Sequence, residues 1–249
     1  MVSVIIPCFN HSHFLEETVR SVLDSNYADL EIIVIDDGST DGSADVGQRL
    51  SAIYPEVSCF YQENAGPSAA RNHGVSKARG KYILALDADD LIAPNYIEEA
   101  VTLLEGDTNI KVVYAEAVKF GAVNRKWKLK KYTPYRLAID NMIYVSAIYR
   151  RSDWERIGGY TEDSALVRED WEFWIKLLKD GGEVVKLPFV GFYYRIHSNS
   201  RRKSMSKVTK DKEIDYLNVH HSDFFQAQLG GPLRKARSLS RIINLFKRK

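Results

Sequence analysis

A chain of 249 residues, 45% hydrophobic and 27% charged, can bury a sizeable core, and it fits one α/β domain carrying an appendage. A formal net charge of +2 gives no global case for a nucleic-acid partner, although basic residues crowd towards the C-terminus. Only Cys8 and Cys59 are present, without C-x-x-C spacing, so neither a zinc site nor a disulfide framework is suggested and a reducing cytosol fits.

The opening run Met1–Pro7 has no basic leader region and is too short for a signal peptide; it is predicted to form a strand over Val2–Pro7. A helix near His13–Ser25, a strand Leu30–Asp36, a helix near Gly42–Ile53 and a strand Val57–Tyr61 follow. That alternation is βαβ rhythm and implies a parallel sheet. Next come a helix Pro67–Ala78, a strand Lys81–Leu86 and a helix from about Pro94 to Leu104. Beyond Ile110 the pattern changes to longer mixed strands, Lys111–Lys119 and Met142–Arg150, with the basic segment Arg125–Lys131 between them. Trp171, Trp174, Ile175 and Leu178 share one face of a helix over Glu169–Lys179, and the strand Glu183–Ile196 is interrupted at Pro188.

The polar, basic tract Ser198–Lys212, with Arg201, Arg202, Lys203, Lys207 and Lys210, reads as a mobile loop. Within Pro232–Lys249 a helical wheel sets Ala236, Leu239, Ile242, Ile243 and Phe246 opposite Arg234, Arg237, Arg241 and Arg248. Two readings fit: an interfacial helix on anionic lipid, or a helix packed on the domain with a solvated basic face. No stretch approaches the about 20 apolar residues of a transmembrane span, so membrane association is expected to be peripheral.

Three acids, Asp87, Asp89 and Asp90, directly follow the apolar run Tyr82–Leu86, at the carboxyl edge where open α/β sheets bind ligands. Clustered acids repel unless a cation neutralises them, and hard oxygen donors suit Mg²⁺ or Mn²⁺, which in turn suit a diphosphate. The second strand also ends in acids, Asp36-Asp37-Gly38, where a carboxylate can accept a base N–H or a ribose hydroxyl, and Asp41 suits the cap of the next helix. After the third strand, Glu63–Gly74 turns into a helix of small residues. Arg71 there either meets a nucleobase carbonyl or a diphosphate, or is a surface arginine on a tightly packed helix.

Pro7-Cys8-Phe9-Asn10, Asp36-Asp37-Gly38-Ser39, Asn64-Ala65-Gly66, Ala70-Arg71-Asn72, Asp87-Ala88-Asp89-Asp90, Gly158-Gly159-Tyr160 and Glu169-Asp170 occur in this order. Together they resemble the family-two inverting glycosyltransferases of GT-A fold, over about residues 2–200. The resemblance implies an α/β, Rossmann-like nucleotide-sugar-binding half over 1–106, with a mostly parallel central sheet. It also implies an acceptor and catalytic-base half over 107–200, and leaves 201–249 as a basic loop and helical tail. Pro7, Phe9 and Asn10 correspond to the loop around the nucleobase, Asp36 or Asp37 to the uracil or ribose contact, and Arg71 to a base or diphosphate contact. Asp87 corresponds to the ribose- or sugar-facing acid and Ala88 beside it to a nucleotide contact, Asp89 matches the metal ligand, Asp170 the catalytic base, and His197 a histidine near the metal or diphosphate.

What the resemblance implies is a Mn²⁺- or Mg²⁺-dependent hexosyl- or N-acetylhexosaminyl-transferase. Its donor is a UDP-sugar and its acceptor a glycan or lipid-linked glycan at the cytoplasmic face of a membrane, with no nucleic-acid partner. Glu169 is expected to orient the base or touch the acceptor; Trp171 and Trp174 either build a sugar platform or pack in the core. His11, His13, His73, His220 and His221 are given no role. Two rivals remain: a silent glycan-binding scaffold of the same fold, and a sugar nucleotidyltransferase, which needs a glycine-rich basic loop that Pro7–His13 lacks.

Overall fold

The computed structural model describes residues 1–197 and 207–246. The chain opens with β1 (Val2–Cys8), α1 (Ser12–Leu23), β2 (Leu30–Asp37), α2 (Ser43–Ile53), β3 (Val57–Gln62), α3 (Pro67–Lys77) and β4 (Tyr82–Ala85). β1 pairs in parallel with β2 and β4, and β2 with β3. Such strands are buried on both faces, which is why β1 and β2 are mainly apolar, with Val4–Ile6 and Ile32–Ile35 at their centres. The strand order β3-β2-β1-β4 reverses direction at β1, so a crevice opens beyond the carboxyl ends of β1 and β4. α3 lies so close to the sheet that a methyl group at Gly74 would come within 2.3 Å of Ile5 Cγ2.

The second half adds to the same sheet through β5 (Leu91–Ile92), α4 (Tyr96–Gly106), β6 (Ile110–Gly121), β7 (Arg125–Trp127), α5 (Pro134–Leu137), β8 (Ile148–Arg150), α6 (Arg151–Ile157), α7 (Glu169–Leu178) and β9 (Glu183–Ile196). β8 runs antiparallel to β4 and β6, β9 parallel to β6, and β5 antiparallel to β9. The outcome is a mixed sheet with helices on its faces, the α/β architecture expected of a GT-A fold. The break at Pro188 is a bulge: the β6–β9 register jumps from the Ala115–Leu187 pair to the Glu116–Val190 pair.

Three expectations need correction. Of the strand predicted over Met142–Arg150 only Ile148–Arg150 pairs; the preceding residues form a buried loop whose Tyr144 hydroxyl receives the Ala115 N–H (2.8 Å) and donates to the Ala115 carbonyl (3.1 Å). Of the tract Ser198–Lys212, residues 198–206 lie outside the described residues, and Lys207–Lys212 begin α8 (Lys207–His220) rather than a loop. Beyond α9 (Ser222–Leu229) the predicted long helix is a short 3₁₀ turn, Arg237–Leu239, followed by α10 (Ser240–Phe246). α10 packs by its polar side: Ser240 and Asn244 are buried, while Leu239, Ile242, Leu245 and Phe246 are exposed. Residues 247–249 lie outside the described residues. The C-terminal helices are not loosely attached, because Ile214, Leu217, Phe225 and Leu229 share one core with Trp171 and Trp174.

Candidate active site

The crevice beyond β1 and β4 is a cleft of about 630 Å³. Pro7, Phe9 and Asn10 form one wall of it. Asn10 takes a left-handed backbone (φ 57°), an allowed excursion for asparagine, and its side-chain carbonyl accepts the Thr40 N–H at 2.8 Å. Asp37 and Asp36 divide the role offered to them jointly. The Asp37 carboxylate lines the cleft and accepts the N–H groups of Ala65 (2.8 Å) and Gly66 (2.9 Å), so it shapes the turn into α3. Asp36 is buried behind the wall, and neither of its carboxylate oxygens meets a hydrogen-bond partner among the described residues. Asp41 accepts the Ser43 and Ser12 N–H groups at 3.0 Å each, tying together the starts of α1 and α2.

The far wall is the turn after β4. Asp87, Ala88 and Asp89 line the cleft, and the Ala88 carbonyl accepts the Thr18 hydroxyl at 2.9 Å. β9 delivers its end to this turn: Asp90 accepts the Arg195 N–H at 2.7 Å, and the Asp89 carbonyl accepts Arg195 Nε at 2.7 Å. Asp90 is buried, and burial, then the nearby Asp89 and Asp87 charges, push its carboxyl well above the usual carboxylate range. It is thereby a structural tie. His197 follows, with Nε2 2.7 Å from Asp89 Oδ2. His11 approaches from the other side, its Nε2 3.9 Å from the same oxygen. Asp89, His197 and His11 each offer one ligand atom, all within 4.8 Å of one another. One carboxylate oxygen and two imidazole nitrogens are donors that fit a divalent cation.

A second cavity, about 260 Å³, adjoins the cleft and is lined in part by Asp140, Asn141, Glu169 and Asp170 at the start of α7. Arg71, Asp87, Glu169 and Tyr194 line both cavities. Arg71 is only 3% exposed and bridges them, Nη2 lying 2.8 Å from Asp87 and Nη1 2.7 Å from Glu169. Burial works against its charge, but Asp87 and then Glu169 more than offset this, so the guanidinium stays charged. It is not a surface arginine: it lines the cleft, and its Nε has no hydrogen-bond partner among the described residues.

Asp170 accepts the Trp171 N–H at 2.8 Å on one oxygen and the Asn141 amide at 2.7 Å on the other. A helix start favours ionisation. Burial, and next the Glu169 charge, outweigh it here and push the Asp170 carboxyl up to about 7. Trp171 takes the packing role of the two its spacing offered: it is fully buried and gives its indole N–H to the Leu137 carbonyl at 2.6 Å. The Gly158-Gly159-Tyr160 motif acts through Asn72, whose Oδ1 accepts the Tyr160 N–H at 2.8 Å and whose Nδ2 donates to the Tyr160 carbonyl at 2.8 Å. Tyr160 in turn stacks on Phe173 of α7 (4.1 Å) and lies under Arg71 (5.5 Å).

Sequence reasoning missed His11, Asn141 and Arg195. His11 carried a signal, since it directly follows Phe9-Asn10; a lone asparagine in an apolar loop carried none.

A family model for glycosyl transferase family 2 matches residues 3–172. Over 231 residues the chain is 29% identical to the glycosyltransferase TuaG of Bacillus subtilis (strain 168), named for teichuronic acid biosynthesis, with 91% of each protein covered. The fold matches TarS of S. aureus, residues 1–349 in complex with UDP-GlcNAc, at a TM-score of 0.69 and 17% identity, covering 99% of this chain and 80% of that one. Against a longer TarS chain the coverage of TarS falls to 45%. The mannosyltransferase PcManGT of Pyrobaculum calidifontis, in complex with GDP-Man and Mn²⁺, gives a TM-score of 0.70 at 20% identity, covering 98% of this chain and 71% of that one. The chain therefore belongs to glycosyl transferase family 2 and is a glycosyltransferase.

Proposed function

We propose that the protein transfers a hexosyl or N-acetylhexosaminyl group from a UDP-sugar to a hydroxyl of a glycan acceptor, inverting the anomeric carbon, with Mn²⁺ or Mg²⁺ as cofactor. One observation carries the reading: the Asp87–Arg71–Glu169 bridge forms a common wall between the cleft that holds Asp89 and the cavity that holds Asp170. A donor in the first and an acceptor in the second would meet across that wall.

Pro7, Phe9, Asn10 and Asp37 hold the nucleoside, with Asp36 supporting them from behind, and Asp87 faces the sugar. Asp89 and His197 would hold the cation, which would supply charge neutralisation to the departing diphosphate. Asp170 takes the proton of the acceptor hydroxyl as its oxygen attacks the anomeric carbon from the face opposite the diphosphate; the C–O bond to the diphosphate breaks, and a single displacement inverts the centre. Glu169 keeps Arg71 charged and faces the acceptor side, and Asn141 orients Asp170.

We place the acceptor in surface polysaccharide or lipid-linked oligosaccharide synthesis and the enzyme at the cytoplasmic face of a membrane, held peripherally by Pro232–Lys249. Support comes from α10, which turns Ile242, Leu245 and Phe246 outward beside basic residues of the tail; Phe246 is 77% exposed. Among the described residues no helix is long and apolar enough to cross a membrane.

The test is Asp170→Asn with UDP and Mn²⁺. Transfer is expected to fall by at least about a thousandfold while UDP binding by calorimetry stays within about twofold. Retained transfer would remove Asp170 as the base, and tighter binding of GDP than UDP would overturn the donor assignment.

A further inference from the structure

We infer that His11 is a third protein ligand of the cation, and that two imidazoles in its shell set the site for a transition metal such as Mn²⁺ over Mg²⁺. This rests on the proposed cation at Asp89 and adds both a ligand and a selectivity to it.

The tautomer of His11 is fixed by a contact away from the cation. Its Nδ1 lies 2.8 Å from the Phe9 carbonyl, an acceptor only, so Nδ1 carries the hydrogen and the Nε2 lone pair points into the cleft. Metal-bound histidines are oriented in this way by a backbone carbonyl on the second ring nitrogen. Nε2 then stands 3.9 Å from Asp89 Oδ2. That is too long for a hydrogen bond. It falls between the about 3.0 Å and about 4.2 Å that separate neighbouring and opposite ligands at about 2.1 Å from an octahedral centre, so one ion can reach both donors.

The position is also rigid. The His11 N–H donates to Ser43 Oγ at 3.0 Å, and its carbonyl accepts the Phe14 and Leu15 N–H groups that start α1. The Phe14 ring lies 6.3 Å from the His11 ring and 5.1 Å from the His197 ring, wedged against both imidazoles. Arg195 covers Phe14 at 4.7 Å. A site prepared by packed neighbours holds its ligands without reorganisation.

Donor chemistry decides the selectivity. Mg²⁺ prefers oxygen and sheds water reluctantly, whereas imidazole nitrogen favours the first-row transition ions, more so from Mn²⁺ to Co²⁺. Replacing one water or carboxylate by His11 therefore shifts preference away from Mg²⁺.

The experiment titrates MnCl₂, CoCl₂ and MgCl₂ into the full chain saturated with UDP, by calorimetry and by the electron paramagnetic resonance signal of free Mn²⁺. Wild type is expected to bind Mn²⁺ at least about tenfold more tightly than Mg²⁺. His11→Ala and the bulkier His11→Gln, each checked for unchanged thermal unfolding, are expected to weaken Mn²⁺ about 10- to 100-fold and Mg²⁺ by less than about threefold. His11→Asp, which restores a hard oxygen, is expected to recover Mg²⁺ in preference to Mn²⁺. If wild type binds Mn²⁺ and all three variants bind it equally well, His11 is not a ligand. If wild type binds no divalent ion, the cation reading itself fails.

Discussion

At the scale of single residues, the unusual group is Asp170, whose carboxyl burial and Glu169 push up to about 7. As the proposed base, Asp170 works only when ionised, so kcat/KM is expected to fall about tenfold per pH unit below about 7 and to level off above it. Glu169→Gln removes the neighbouring negative charge and leaves Arg71 acting more strongly on Asp170, so the acid limb should move to lower pH. Initial rates across pH 5 to 9 read this; an unmoved limb would assign the titration to another group. The stability term has the opposite sense. The folded carboxyl holds its proton more tightly than the unfolded one, so its contribution is fully present below about pH 4 and is lost as pH rises towards about 7. The acids of the site were legible because charges at strand ends need a reason to be there. The pairing of Arg71 with Glu169 was not, since the two are 98 residues apart in sequence and only the folded sheet brings them together.

At the scale of elements, α7 is held at its start from the C-terminal helices. Glu213 of α8 is fully buried and accepts both the Arg168 N–H (2.9 Å) and its Nε (2.9 Å), directly before Glu169 and Asp170. Arg168 also reaches Asp140 (3.1 Å), and Arg237 from the 3₁₀ turn reaches the same carboxylate (2.7 Å). Removing Glu213 takes the acceptor from the Arg168 N–H and Nε and leaves Asp140 alone to face the guanidinium. Glu213→Ala is expected to lower unfolding stability by about 3–5 kcal/mol in urea denaturation, with faster amide exchange in the first turn of α7. A change below about 1 kcal/mol would mean that water replaces the carboxylate. The elements that sequence located well are those with a repeating apolar pattern, such as α7 and the parallel strands. The buried loop before β8 misled because a largely apolar run, here interrupted by Ser146, does not distinguish a strand from a covered loop. α10 misled differently: Asn244 is needed inward, its amide donating to the Leu229 (3.2 Å) and Pro232 (3.0 Å) carbonyls, which turns the apolar side chains out.

For the whole molecule, the exposed row on α10 gives the proposed membrane attachment a direct test. Ile242→Glu combined with Phe246→Glu leaves the buried Ser240 and Asn244 in place, so the fold is expected to survive. Co-sedimentation with vesicles rich in anionic lipid should fall severalfold, while transfer to a soluble acceptor remains within about twofold. Unchanged sedimentation would overturn the membrane attachment through α10.

α7 and β9 follow one another with only a short turn between them; the first begins at Glu169-Asp170 and the second ends beside His197. The proposed proton acceptor and the proposed metal-binding histidine thus travel on one contiguous cassette. Asp89, the other proposed cation ligand, precedes this cassette with the nucleoside-contacting loops, so recombination that exchanged the cassette whole would join a histidine from one parent to an aspartate from the other. The shared cation site accordingly binds the two segments to one evolutionary clock.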